Sequence, residues 1–107
     1  MKAGPITALV PLVLIGLCGA ADAAVFECKR TDTPQTVYLK IDDAAKGALI
    51  ADDAKTAASA AAQPADDFSA VGVSFKQFVK YDFDRISSTL TRKSIGVTDT
   101  FKCARMP

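Results

Sequence analysis

Residues 79–91, V-K-Y-D-F-D-R-I-S-S-T-L-T, carry the pattern from which the fold can be predicted. Apolar Val79, Tyr81 and Phe83 alternate with polar residues, which is typical of a β-strand with one buried face. Residues 84–88 have turn-forming composition, and 89–91 are expected to return as a second strand. The stretch therefore predicts an antiparallel hairpin.

The same alternation appears on both sides of this hairpin. Further strands are predicted at 25–29, 36–41, 71–75 and 98–105, with a weaker return strand at 48–51. In the strand at 36–41, Val37, Leu39 and Ile41 should share one face, opposite Tyr38 and Lys40. About six short strands predict a mainly β fold, either a small antiparallel meander or an open barrel.

The sequence also predicts the conformation of two connections between strands. In the turn at 42–47, Gly47 is expected to adopt a positive φ. The Ala-rich stretch 52–67 is either a loop or a short helix over 54–62 that Asp53 caps and Pro64 ends. It has almost no large apolar residue, so a helix here should have nothing to bury.

The N-terminus has the pattern of a secretory signal peptide. Lys2 precedes a short apolar run, and Ala21-Asp22-Ala23 fits a cleavage site for small residues. We expect residues 1–23 to be removed, leaving 24–107 as one small β domain that is periplasmic or secreted; an uncleaved anchor is the alternative. In the exported domain, Cys28 and Cys103 are the only cysteines, which predicts a disulfide that joins its two ends. Phe26 and Phe101, each two residues before a cysteine, should lie beside that bridge.

Charge divides the domain into two parts. Residues 42–67 hold six Asp and two Lys, a net charge of −4. Residues 76–105 hold seven Lys or Arg and three Asp, a net charge of +4. Solvated faces of opposite sign are the simpler interpretation, and a basic binding face is the alternative.

The residue types present argue against catalysis. The sequence contains no histidine, which is the commonest general base and metal ligand, and both cysteines of the exported domain are expected to be oxidised. We therefore predict no enzyme activity, no metal site and no cofactor. Export also makes a nucleic-acid partner improbable, and membrane contact is expected only through the signal peptide before cleavage.

The weak candidate binding residues lie in the central hairpin. They are Lys80, Tyr81, Asp82, Asp84 and Arg85. Asp82 and Asp84 should share a strand face, where two carboxylates could bind a cation or transfer protons, although an ordinary polar face is the simpler explanation. For Asp84 and Arg85, a turn-capping Asp and a packed Arg are the structural alternative to recognition.

Four segments together resemble a group of small exported bacterial proteins of unknown function. The segments are Y-L-K-I-D-D, F-S-A-V-G-V-S-F, Y-D-F-D-R-I-S-S-T-L-T and F-K-C, and the resemblance rests mainly on residues 81–85 and Leu90. Ser88 stands where that group often has Gly. The resemblance implies an exported β domain and no reaction. At the level of fold alone, the chain is also similar to periplasmic C-type lysozyme inhibitors.

These observations lead to a functional hypothesis. We expect an exported, non-catalytic β domain that binds a partner or ligand in the cell envelope, possible partners being envelope proteins. One alternative is an inhibitor of a secreted or periplasmic hydrolase that acts through a loop such as 84–89. Another is a structural or stress protein of the envelope.

Overall fold

The part of the chain that the computed structural model describes, residues 23–107, is mainly β-sheet, as predicted. The proposed signal peptide lies outside the described residues except for Ala23. The elements are β1 Ala23–Arg30, β2 Thr36–Asp42, β3 Gly47–Ala51, α1 Ala54–Ser59, β4 Gln63–Pro64, β5 Asp67–Phe68, β6 Gly72–Gln77, β7 Val79–Asp84, β8 Thr89–Ser94 and β9 Val97–Arg105. No helix among these elements is long and apolar enough to cross a membrane.

The strand count differs from the prediction, since nine strands form within residues 23–107 rather than about six. The two-residue strand β4 lies in the stretch 52–67 that was expected to be a loop or a helix, and the two-residue strand β5 begins at the last residue of that stretch. A strand of two residues is too short to show alternation, so the pattern that identified the longer strands could not identify these.

All nine strands belong to one antiparallel sheet, in the order β4-β3-β2-β1-β9-β8-β7-β6-β5. The first and last long strands, β1 and β9, are neighbours in its centre, with Cys103 opposite Cys28. The predicted disulfide joins these two residues. Phe26 and Phe101 lie on the same inner face as the bridge, within the main core.

The main core lies inside the curled sheet and follows the predicted alternation. Val37, Leu39 and Ile41 of β2 point into it, as predicted, while Tyr38 and Lys40 point outward. Its other buried members are Cys28, Ala48, Val73, Phe75, Tyr81, Phe83, Leu90 and Phe101. This burial of alternate residues from every long strand stabilises the half-barrel.

The two sides of the half-barrel, β3 and β6, are linked without continuous backbone pairing between them. At one end, the segment 63–68 pairs first with β3, through β4, and then with β6, through β5. At the other end, the side-chain amide of Gln77 accepts a hydrogen bond from Ile50 N (2.9 Å) and donates one to Ile50 O (2.8 Å). The Gln77 amide therefore replaces one backbone pairing between β6 and β3.

The short helix α1 forms, and it buries more than the sequence suggested. Asp53 caps it by accepting a hydrogen bond from Thr56 N at 2.7 Å. Ala57 is fully buried in a second small core, on the outer side of the sheet, with Leu49 and Ala51. The expectation that this helix has nothing to bury is wrong, because an alanine is large enough to fill the space that a helix leaves when it lies directly on a sheet.

The positive φ in the turn at 42–47 occurs one residue earlier than predicted. Lys46 adopts the left-handed conformation, with φ of 52°, whereas Gly47 does not. Gly47 meets a different requirement, since a Cβ atom at this position would lie 2.5 Å from the carbonyl oxygen of Gln63 in β4. Its lack of a side chain allows β4 to approach β3.

Candidate functional site

The five candidate residues from the central hairpin lie in three different places. Tyr81 points inward, is buried and stacks on Phe75, with ring centroids 5.2 Å apart. Lys80, Asp82 and Asp84 lie on the outer face of β7, and Arg85 lies in the turn that follows. The sheet therefore does not bring the five together as one site.

The two carboxylates on the outer face of β7 each have partners. Asp82 accepts a hydrogen bond from Ser74 Oγ at 2.6 Å and forms an ion pair with Lys93 at 3.2 Å. The Ser74 hydroxyl, and then Lys93, hold the pKa of Asp82 below its usual value against the opposing effect of desolvation. Within residues 23–107, no group of three Cys, Asp or Glu side chains is arranged to hold a metal ion.

Asp84 caps the turn between β7 and β8. Its Oδ1 accepts hydrogen bonds from Ile86 N (2.9 Å) and Ser87 N (3.2 Å). These backbone N–H groups, that of Ser87 first, lower the pKa of Asp84. In the same turn Ser88 has a φ of 58°, a conformation that favours Gly.

Arg85 connects three turns at one end of the barrel, which we call the base. Its guanidinium donates two hydrogen bonds to the carboxylate of Asp43 (3.0 and 3.3 Å) and one to Ser69 O (3.1 Å). It also lies over the ring of Phe68, 5.4 Å from the centroid. Arg85 thus holds the β2–β3, β5–β6 and β7–β8 turns together at the base.

The opposite end of the barrel, which we call the mouth, contains a cavity of about 500 Å³. Its lining includes Ile50, Gln77 and Tyr81 together with Arg92 and Asp99. Mouths of small β-barrels are common positions for binding sites, because side chains from many strands converge there.

An arginine–aspartate cluster, formed by Arg30, Arg92 and Asp99, lies inside the mouth. Asp99 Oδ2 accepts hydrogen bonds from Arg92 Nε (3.0 Å) and Nη2 (2.7 Å), and Asp99 Oδ1 lies 2.8 Å from Arg30 Nη2. The Arg92 guanidinium also lies over the ring of Phe101, 5.2 Å from the centroid. The hydrogen bonds that Arg92 donates to Asp99 are the main reason that the pKa of Arg92 is raised. Arg30 Nε also lies 2.7 Å from Asp32 Oδ1, so the two arginines and two aspartates that are paired here have no net charge.

Sequence reasoning did not identify this cluster, although strand alternation contains the signal. Leu90 and Phe101 are core residues, so Arg92 and Asp99, two positions away on β8 and β9, must face the same side. A charged residue in phase with core residues at a strand end is expected to line a barrel opening. The alternation was used to find apolar residues only, and so it missed these.

The rim of the mouth exposes two large apolar side chains at adjacent hairpin tips. Phe78, the single residue between β6 and β7, is 97% exposed, and Ile95, in the two-residue turn between β8 and β9, is 102% exposed. Gly96, with φ of 71°, allows the turn that presents Ile95. Phe78 itself has a φ of 67°, which is a strained conformation for a bulky residue.

A row of three lysines crosses the outer face just behind these tips. We call Lys76, Lys80 and Lys93 the lysine row, because Lys80 of β7 is directly opposite Lys76 of β6 and Lys93 of β8. Together with Phe78 and Ile95 they line an open depression of about 640 Å³. Lys93 pairs with Asp82, whereas Lys76 and Lys80 form no ion pair within residues 23–107.

Like charges directly opposite each other destabilise a sheet. The lysine row therefore costs folding stability, as the strained backbone at Phe78 does, and both occur at the mouth. The geometry thus identifies the rim of the mouth as the candidate binding surface. No family model, curated protein or solved structure matches the chain.

Proposed function

We propose that this chain is an exported, non-catalytic binding domain of the cell envelope that contacts its partner through the rim of the mouth. The observation that carries the proposal is the pair of exposed apolar side chains, Phe78 and Ile95, on neighbouring hairpin tips. A contiguous apolar patch on a small domain marks an interaction surface more often than a scattered apolar residue does.

The backbone at Phe78 supports this assignment. A left-handed conformation costs a residue with a Cβ atom about 1–2 kcal/mol, and Gly or Asn would reduce that cost. Lys46 and Ser88, in turns at the base, share this conformation, but of the three residues only Phe78 has a large apolar side chain. A large aromatic residue at such a position is readily understood if its side chain is needed for contact.

The disulfide and the chemistry of the mouth support the remaining parts of the proposal. Cys28 and Cys103 form a bridge of the kind that persists in oxidising compartments, which fits export to the periplasm or beyond. Inside the mouth, Arg92 and Asp99 are bonded to each other, and the chain has no histidine to act as a general base. Binding is therefore favoured over catalysis.

Fluorescence anisotropy of the labelled domain tests the proposal. The domain is titrated with bacterial envelope extract, which contains both membranes and periplasmic proteins, so that any class of partner is detected. We expect saturable binding by the wild type and at least tenfold weaker binding by the double variant Phe78→Asn/Ile95→Ser, since burying each apolar side chain is worth about 1.5–3 kcal/mol. Asn tolerates the left-handed backbone, so the variant should fold with an unchanged or higher melting temperature.

The matched control replaces exposed apolar residues at the base. Val71 is 61% exposed and Ile86 is 77% exposed, and Val71→Ser/Ile86→Ser should bind as the wild type does. The proposal fails if the wild type binds nothing in the extract, or if both double variants lose binding equally.

A further inference from the structure

We propose that the partner of the mouth rim is the surface of an anionic phospholipid bilayer, into which Phe78 and Ile95 insert while the lysine row contacts lipid phosphates. This inference rests on the proposed function and specifies its ligand. It departs from the sequence-based expectation that the membrane is contacted only through the signal peptide.

The apolar tips and the lysine row would lie at different depths in a bilayer surface. Lys76 and Lys80 are each two residues from Phe78, and Lys93 is two residues from Ile95. Because a strand rises about 3.3 Å per residue, the lysine row lies about 7 Å behind the apolar tips along the strands. Interfacial protein segments bury their apolar side chains about 5–10 Å into the boundary between headgroups and acyl chains. The tips would then reach the acyl boundary while the ammonium groups stay among the phosphates.

The lysine row also runs parallel to the line of the apolar tips. Three lysines from three adjacent strands form a line across the sheet, at the same two-residue distance from the tips on both hairpins. This layered order of apolar groups and then cations matches the layered order of a bilayer surface. Long lysine stems can also lie along apolar surface while their ammonium groups remain solvated.

Two acidic residues beside α1 lie on the other side of the rim from the apolar tips. Asp52 and Asp53 lie at the end of β3 and the start of α1, while the tips and the lysine row lie on β6 to β9. An anionic surface would repel the side of the rim that carries Asp52 and Asp53 and attract the side that carries the lysine row. The domain would therefore dock tilted, with the β6–β7 and β8–β9 hairpins toward the lipid and α1 away from it. Val97, which follows the β8–β9 turn and is half exposed, extends the apolar part of the contact.

Co-sedimentation with protein-free vesicles tests this inference directly. The probes are vesicles of phosphatidylcholine alone and vesicles with three parts in ten of phosphatidylglycerol. We expect the wild type to sediment with the anionic vesicles, to bind the neutral ones at least tenfold more weakly, and to dissociate at high salt, because screening weakens the lysine contacts.

Two double variants separate the contributions. Phe78→Asn/Ile95→Ser should lose at least tenfold in binding to both kinds of vesicle. Lys76→Gln/Lys80→Gln should lose about 25-fold for anionic vesicles only, since each lysine near such a surface contributes about a fivefold factor. The base variant Val71→Ser/Ile86→Ser should bind as the wild type does, and circular dichroism checks that all variants fold.

The outcomes distinguish this inference from the function on which it rests. If the wild type binds envelope extract through Phe78 and Ile95 but does not bind anionic vesicles, the lipid surface is wrong, the proposed function stands, and the partner is another component of the extract. If vesicle binding is unaffected by both mouth variants, or is equally strong without anionic lipid, the inference also fails. If neither extract nor vesicles are bound, both proposals fail.

Discussion

Reducing the bond between Cys28 and Cys103 should remove a large part of the stability of this domain. The bridge closes a loop with a sequence separation of 75. For a loop of that length the chain-entropy relation gives about 4.5 kcal/mol at 25 °C. A domain of about this size has a free energy of unfolding of roughly 4–13 kcal/mol in total. The reduced domain should therefore be close to its limit of stability.

Urea unfolding of the oxidised and reduced wild-type domain, residues 24–107, measures the effect. Far-UV circular dichroism is the suitable signal, because the chain contains no tryptophan. With a denaturant slope of roughly 1–2 kcal/mol per molar urea, the midpoint should fall by about 2–4 M on reduction. Reduction keeps both sulfur atoms in place, so it separates the loss of the crosslink from the loss of packing around the buried Cys28.

The variant Cys28→Ala/Cys103→Ala is the second comparison. It should be at least as unstable as the reduced wild type, since it loses the same crosslink and also sulfur atoms that pack in the core. A midpoint shift below about 0.5 M on reduction would refute the reasoning. The unfolded state would then already hold β1 and β9 close together without the bond.

Three further predictions concern single side chains. Ser88→Gly should raise the free energy of unfolding by about 1 kcal/mol, because Gly removes the cost of a positive φ; an unchanged urea midpoint would contradict this. Lys40 donates hydrogen bonds to Ala58 O and Ala60 O at the end of α1, so Lys40→Met should speed amide exchange in α1 at least tenfold while Lys55→Met should not. Hydrogen bonds lower the pKa of Asp84 in the folded state, so the contribution of Asp84 to stability is complete above about pH 4 and is lost as the pH falls through that lowered pKa. Asp84→Asn should therefore flatten the dependence of Tm on pH below about pH 4. An unchanged slope would count against the turn cap.

Much of the fold could be predicted because strand alternation is a local signal. Val37, Leu39 and Ile41 had to share one face, and the two cysteines of the domain had only one intramolecular partner each. The strands β4 and β5 could not be predicted, because they exist only where the segment 63–68 meets two sheet edges that are far apart in sequence.

The candidate surface was harder to predict because it depends on register between strands. Lys76 and Lys93 were identified only as part of a basic region, and nothing local to either residue places them on both sides of Lys80. The hairpin residues that drew attention by their chemistry, Asp84 and Arg85, have partners within the base of the barrel. Neighbours in sequence alternate between faces, so a chemically interesting run in a strand is seldom one site.

The bond between the two central strands also determines how the domain would respond to mechanical force. The N-terminal end of β1, before Cys28, and the C-terminal end of β9, after Cys103, both lie at the base. Tension between them could peel apart only residues 23–27 and 104–107, an extension of about 30 Å, before the covalent bond carried the load. The rest of the barrel, including the mouth, would lie outside the path of the force, so a tether at the base could be pulled without disturbing the rim at the opposite end.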